Sequence, residues 1–165
     1  MYLGLHYFSD SNLAKPAELH HQSTNKSITG GIIMWGGVSL MAMSLRQHLA
    51  NPDIHTGEVH ACSAVQHQAV PIAGFLQEVG IPQPHAIPFY LDSSSTIFAG
   101  NVSGSVRKSV WTLRRVDVIK DAVMMKEIEL VHIEEKNNVA DSFTKVIPHE
   151  TWRRHMEYIL NRDVS

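Results

Sequence analysis

Gly30 to Ser44 read GGIIMWGGVSLMAMS. Two apolar runs, IIMW and VSLMAM, flank Gly36-Gly37, and a two-residue Gly-Gly connection supplies the positive φ angles of a tight hairpin. Upstream, YLGLHYF (Tyr2 to Phe8) is rich in aromatic and apolar residues and stops at Ser9-Asp10, so it reads as a first strand. Ala14 to Ser27, AKPAELHHQSTNKS, carries no apolar period and reads as a long loop. Three early strands in an antiparallel meander follow.

Downstream the pattern changes. NPDIHTGE (Asn51 to Glu58) closes the hairpin and opens a helix, in which Glu58, Cys62, Val65, Ala69, Ile72, Leu76 and Val79 recur at steps of four and three. Pro71 inside this stripe predicts a bend or break, and Gly80-Ile81-Pro82 an end. AIPFYLD (Ala86 to Asp92) reads as a fourth strand and SSSTIFAG as a short helix capped by serine. Val106, Val110, Leu113, Val116, Ile119 and Val123 predict the next helix, and EIELVHI (Glu127 to Ile133) alternates as a half-buried strand. VADSFTKVI opens a helix, Pro148 interrupts, and HETWRRHMEYIL is a final amphipathic helix. The order β-β-β-α-β-α-α-β-α predicts an α/β domain. Its sheet is five-stranded and mixed, an antiparallel three-strand meander plus two parallel strands, flanked by helices.

At 165 residues the chain is long enough for one domain with its own core, residues 1–165. A hydrophobic content of 44% with 18% charge excludes a disordered chain. No apolar run approaches ~18 residues, so no membrane span is expected, and MYLGLHYFSD lacks the basic and long apolar regions of a signal peptide. The single Cys62 fits a reducing compartment, and the eleven histidines show no zinc-site spacing. A net charge of −2 is not that of a typical basic nucleic-acid binder. Yet Arg107, Lys108, Arg114, Arg115 and Lys120 crowd one segment.

Three aspartates sit at or just beyond a strand end: Asp10, Asp92 and Asp141, the last within NNVADSFTK. Glu58 opens the first long helix. Singly, each aspartate reads as a turn former or cap, and Glu58 as a residue favoured by the helix dipole. As a set they say more. The carboxyl ends of central strands are where sites form in open α/β sheets, and neighbouring first and fourth strands would bring Asp10 and Asp92 out side by side. Crowded carboxylates repel unless cations neutralise them, and hard divalent ions with oxygen ligands are the natural solution. Two such ions about 3.5–4 Å apart can activate a water and stabilise the leaving oxygen of a phosphodiester.

In these residues the chain resembles the ribonuclease H domain of copia-type LTR retrotransposon polyproteins. That family's Tyr-Ser-Asp-Ala-Asp-Trp-Ala is matched by Phe8-Ser9-Asp10-Ser11-Asn12-Leu13-Ala14, and its Ser-Thr-Ser-Gly by Ser27-Ile28-Thr29-Gly30. The Ser-Thr-Glu-Ala-Glu-Tyr helix start places its second, catalytic glutamate on Glu58. The Leu-Gly-Leu-Pro, Tyr-Cys-Asp-Asn and Leu-Ala-Asp-Ile-Leu-Thr-Lys motifs fall on Val79 to Pro82, Tyr90 to Ser93 and Val139 to Lys145. The likeness runs from about Leu5 to about Leu160. It departs at Asn12, Leu13 and Gly57, and above all in Arg107 to Asp117, where the family's histidines are absent.

The resemblance implies a ribonuclease H-like fold and hydrolysis of the RNA strand of RNA–DNA hybrids during reverse transcription. Asp10, Glu58, Asp92 and Asp141 would be both the catalytic residues and the ligands of two Mg²⁺ ions, with Mn²⁺ as a substitute. Asp10 would bridge the ions, Glu58 and Asp92 complete the leaving-group side, and Asp141 stand by the attacking water. Arg107, Lys108, Arg114 and Arg115 are the candidates for holding nucleic-acid backbone, against a solvated helix face. Trp35 and Trp111 read as core. The resemblance also implies the C-terminal part of a polyprotein, reverse transcriptase and integrase segments as partners, no membrane, and an intracellular setting: cytoplasmic virus-like particles, and the nucleus. Two alternatives stay open: a binding module that has kept the fold without turnover, and a nuclease of the same superfold acting on DNA or structured RNA.

Overall fold

The structure, a computed structural model, describes residues 4–12, 26–48, 53–83, 85–101 and 110–162. Gly36 and Gly37 take φ angles of 58° and 80°, the left-handed pair that joins β2 (Ile28–Trp35) to β3 (Val38–Arg46) in a tight turn. β1 (Leu5–Asn12) pairs antiparallel with β2 along its whole length, from Leu5 opposite Trp35 to Asn12 opposite Ile28. On its other side β1 runs parallel to β4 (Ile87–Leu91), which runs parallel to β5 (Ile128–His132). The sheet order is therefore β3-β2-β1-β4-β5, the expected meander plus two parallel strands.

α1 (Ile54–Glu78), α2 (Ser94–Asn101) and α3 (Val110–Met124) cover one face over a core that includes Leu5, Tyr7, Ile33, Val59, Val65, Phe89, Val116 and Ile119. A smaller core of Phe8, Ile32, Met34, Val139, Ala140 and Ile159 lies on the other face, under α4 (His149–Ile159) and a 3₁₀ turn, Val139–Phe143. Alternate residues of β1 thus serve opposite layers, as the pleat requires. No described helix is long and apolar enough to cross a membrane.

Local chemistry sets the ends of α1. The Asp53 side chain accepts the Thr56 amide at 2.7 Å, an N-cap that satisfies one of the first turn's free donors. At the other end Gly80, with φ of 83°, lets its own amide reach the Gln77 carbonyl and the Ile81 amide the Leu76 carbonyl, a Schellman closure. Of the bend or break expected at Pro71, the break does not occur, and the helix runs on to Glu78. The missing N–H of Pro71 would have served the His67 carbonyl, and both residues lie on the solvent face while Ala69 and Leu76 are buried beneath.

α3 departs further from its reading. Val110 is exposed, and the buried face runs through Thr112, Val116, Ile119 and Ala122, a rotated stripe. Trp111 is 64% exposed rather than core, with the Arg114 guanidinium 5.7 Å from its ring centre. Trp35 packs half-buried against the main core, as expected. Val106 and the loop read between Ala14 and Ser27 fall outside the described residues except at its last two positions.

Candidate metal centre

Asp10 lies within β1, two residues before its end, because the ladder with β2 continues to Asn12. Asp92 directly follows β4. The parallel register sets Phe8 beside Tyr90, so Asp10 and Asp92, each two residues further on, emerge together. Asp141 arrives from the 3₁₀ turn Val139–Phe143, where an α-helix was expected.

Three contacts pin that turn to the sheet. Asn138 accepts the Ala140 amide at 3.2 Å and donates from Nδ2 to the Ser9 carbonyl at 3.0 Å, tying it to β1. Ser44 of β3 donates its hydroxyl to the Phe143 carbonyl at 2.6 Å. Gly30 of β2, opposite Asp10, makes room: a Cβ there would stand 2.5 Å from Thr144 Cγ2 and 2.6 Å from the Ala140 carbonyl oxygen.

Asp10, Asp92 and Asp141 each offer a carboxylate oxygen within 4.8 Å of the others. Asp10 and Asp141 are buried and Asp92 is half-buried. The Thr144 hydroxyl donates to Asp10 Oδ2, and the Thr144 carbonyl accepts from Asn12 Nδ2 at 3.2 Å. Lys145 Nζ lies 2.9 Å from Asp141 Oδ2 and 2.9 Å from Glu135 Oε1. Glu58 stands beside the trio rather than in it. Its Oε1 accepts the Ser11 amide at 3.3 Å, while its Oε2 has no hydrogen-bond partner among the described residues. Gln47 fixes the turn that carries it, donating to the Gly57 carbonyl at 3.1 Å and Thr29 Oγ1 at 2.9 Å.

The acids feel one another. Burial pushes Glu58 up to about 9, and the charges of Asp10 and Asp92 add to the effect. Burial followed by Asp10 raises Asp141 to about 7, with Lys145 opposing. Asp92 is raised by the same two causes, again against Lys145. Buried carboxylate oxygens without donors, Asp141 Oδ1 and Glu58 Oε2, beside three convergent acids fit a hard cation with oxygen ligands. Asp10, Asp92 and Asp141 would hold it, with Glu58 within reach of its field.

A pH effect follows. Between its unfolded value, near 4.5, and about 9, folded Glu58 keeps a proton that the unfolded chain has released. Stability therefore falls as pH rises through that window, by at most about 1.4 kcal/mol per pH unit for each such proton. Asp141 acts with the same sign up to about 7. In a chelator, the melting temperature should drop between about pH 6 and pH 8.5, and Glu58→Gln should flatten the drop and raise the value at the alkaline end. Thermal melts of the two proteins across pH check this; parallel curves would show that native Glu58 is ionised throughout.

Thr144, Lys145, Asn138 and Gln47 were given no role from sequence. Thr144 and Lys145 lay inside a quoted motif, three and four residues beyond Asp141, and that spacing was their only signal. Asn138 stood in the quoted NNVADSFTK, but its bond to Ser9 of β1 left no local trace, and Gln47 gave no signal. Among the basic candidates, Arg114 is exposed and Arg115 donates to Ser63 Oγ of α1 at 3.3 Å. Arg107 and Lys108 lie outside the described residues. Ser93 caps α2, its hydroxyl accepting the Thr96 amide at 3.3 Å.

No protein-family model matches the chain. Solved structures do. LC11-RNase H1, isolated from compost by a metagenomic approach, superposes with a TM-score of 0.59 at 12% identity, covering 94% of this chain and 99% of that one. The N-terminal RNase H domain of rv2228c from Mycobacterium tuberculosis gives 0.56 at 12%, covering 94% and 98%. The prototype foamy virus protease-reverse transcriptase gives 0.57 at 16%, covering 87% of this chain but 21% of that one. At such identities the likeness is one of architecture, and this chain's mixed five-stranded sheet is in keeping with it. The chain has the ribonuclease H fold.

Proposed function

We propose that this chain is a metal-dependent endoribonuclease that hydrolyses the RNA strand of an RNA–DNA hybrid, using Asp10, Glu58, Asp92 and Asp141. The observation that carries the reading is the convergence of Asp10, Asp92 and Asp141 within 4.8 Å, with Glu58 alongside, on a ribonuclease H fold. LC11-RNase H1 has also been solved with an RNA/DNA hybrid, and that structure superposes with a TM-score of 0.51 at 15% identity, covering 81% of this chain and 88% of that one.

When bound, two Mg²⁺ or Mn²⁺ ions would supply an activated water and charge stabilisation at the departing 3′-oxygen, giving a 3′-hydroxyl and a 5′-phosphate. The chain's own part is positioning. Thr144 orients the Asp10 carboxylate, the Ser11 amide orients Glu58, and Lys145 holds one oxygen of Asp141, leaving the other without a donor. Because the groups are held before substrate arrives, little reorganisation remains for the chemical step.

The substrate is read by shape, phosphates and RNA 2′-hydroxyls rather than by sequence. Arg114, exposed beside Trp111, is suited to a backbone contact, as is the neighbouring Arg115; Arg107 and Lys108 complete the proposed basic segment. Arg114→Ala should weaken hybrid binding about equally for all sequences and lower the salt dependence by about one unit of slope. Fluorescence anisotropy at several salt concentrations measures both, and an unchanged slope would remove Arg114 from the interface.

The setting we propose is a copia-type retrotransposon polyprotein, with reverse transcriptase and integrase segments as partners, acting in cytoplasmic particles and in the nucleus. Motif order along the chain and the fold shared with 21% of a viral protease-reverse transcriptase chain support it. The competing reading is a hybrid-binding module without turnover, favoured by the absence of histidine between Arg107 and Asp117. One assay decides. End-labelled hybrid, duplex DNA and duplex RNA are incubated with the chain in Mg²⁺ or Mn²⁺. Cutting of only the hybrid's RNA strand supports the proposal, binding without cutting supports the module, and equal cutting of duplex DNA overturns the substrate assignment.

A further inference from the structure

A cavity of about 360 Å³ lies on the α4 side of the sheet, within the range of small-molecule sites, roughly 300–1,000 Å³. Phe8, Tyr90 and Val139 line it, and each stands two residues before one of the three clustered aspartates, Asp10, Asp92 and Asp141. In the two strands that spacing returns to the same face, so the cavity sits one residue pair further back along β1 and β4 than the carboxylates. Tyr158, Arg154 and His155 of α4 close the opposite side.

Its walls are aromatic. Phe8 stacks on Tyr90 at 4.9 Å between ring centres, and Tyr158 meets Phe8 edge-on at 6.0 Å. The Tyr158 hydroxyl lies 3.3 Å from His6 Nε2, at the rear of the same aromatic group. Burial and then the nearby Tyr90 phenol raise Tyr158, so its hydroxyl stays a neutral donor. Among the described lining residues, Arg154 supplies the positive charge. Arg154 donates one N–H to the Lys136 carbonyl and makes no ion pair with a described carboxylate, which leaves further guanidinium donors for a ligand. Its neighbour His155 is neutralised by burial and engaged with Ser142 at 2.9 Å and the Lys136 carbonyl at 3.1 Å.

We infer that this cavity is a binding site for a planar aromatic molecule bearing one anionic group, such as an aryl carboxylate. The ring lies against Tyr90 and Tyr158, the partly exposed aromatic walls, with Phe8 packed behind them, and the anion meets Arg154 at the mouth. A neutral ring of the same size loses the charged contact, and an aliphatic acid loses the stacking, so the site selects for both features together. The site is separate from the carboxylates, which would repel the same anion, and it needs no metal ion.

The test uses 2-naphthoate as the probe, titrated into the chain and followed by calorimetry and by aromatic NMR shifts, with EDTA present so that no cation contributes. Saturable binding of one equivalent is expected, with shifts at Phe8, Tyr90 and Tyr158. Arg154→Met, an exposed change on α4, should weaken it roughly tenfold or more, and 2-naphthamide should bind the unaltered chain comparably weakly. Asp10→Asn should not weaken naphthoate binding. Absence of saturable binding, binding insensitive to Arg154→Met, or shifts confined to residues on the α1 face would each overturn the assignment.

Discussion

Asp10→Asn should leave a folded protein in which the proposed cleavage of hybrid is roughly a thousandfold slower, or not measurable. The size of the effect comes from Asp10's place at the electrical centre of the cluster. Its charge is among the causes that raise Glu58, Asp92 and Asp141, so it faces all three. Asparagine keeps the shape and an acceptor for the Thr144 hydroxyl, so the turn beneath Asp141 stays in place while the charge that draws cations is lost. Hybrid affinity in EDTA should therefore be near that of the unaltered chain. Single-turnover cleavage, anisotropy and a thermal melt on the same preparation separate these terms. Cleavage surviving Asp10→Asn would place the chemistry elsewhere.

The second large effect is structural. Gly30→Ala should destabilise the domain by roughly 3 kcal/mol, at the upper end for overpacking, because one of the atoms in the way is backbone. A methyl group at 2.5 Å from Thr144 Cγ2 and 2.6 Å from the Ala140 carbonyl oxygen requires the Val139–Phe143 turn to lift from the sheet. Asp141 and the Thr144 contact to Asp10 would lift with it. We expect the melting temperature to fall by roughly 6–12 °C and cleavage to fall more than stability alone explains. Gly74→Ala is the control. A Cβ there meets nothing within 4 Å, and in an exposed helical position alanine should stabilise by roughly 0.5–1 kcal/mol. Urea melts of both variants give the comparison, and a Gly30→Ala protein as stable as the unaltered chain would show that the turn rests only loosely on β2.

Features governed by near neighbours were legible before the structure. Gly36-Gly37 announced a hairpin because only glycine enters its left-handed angles cheaply. The steps of four and three from Glu58 to Leu76 announced α1, and Gly80 its end. Readings failed where a distant partner decided. Pro71 sits inside a continuous helix because packing beneath Ala69 and Leu76 outweighs one lost hydrogen bond on the wet side. Trp111 faces solvent because α3 buries Thr112 rather than the larger residue.

The same division runs through the candidate site. The order of strands and helices, and the presence of a carboxylate at Asp10, Glu58, Asp92 and Asp141, were determined by the sequence alone, because both are properties of short segments. Which oxygens meet was not. The convergence of Asp10 with Asp92 depends on the parallel register of β1 on β4, and that of Asp141 on a turn seated over Gly30. Glu58's place beside the trio depends on one amide of β1 and on Gln47. Most of these contacts join residues dozens of positions apart, and chain-local periodicity carries no record of them; only tertiary packing sets a distance between residues 10, 92 and 141.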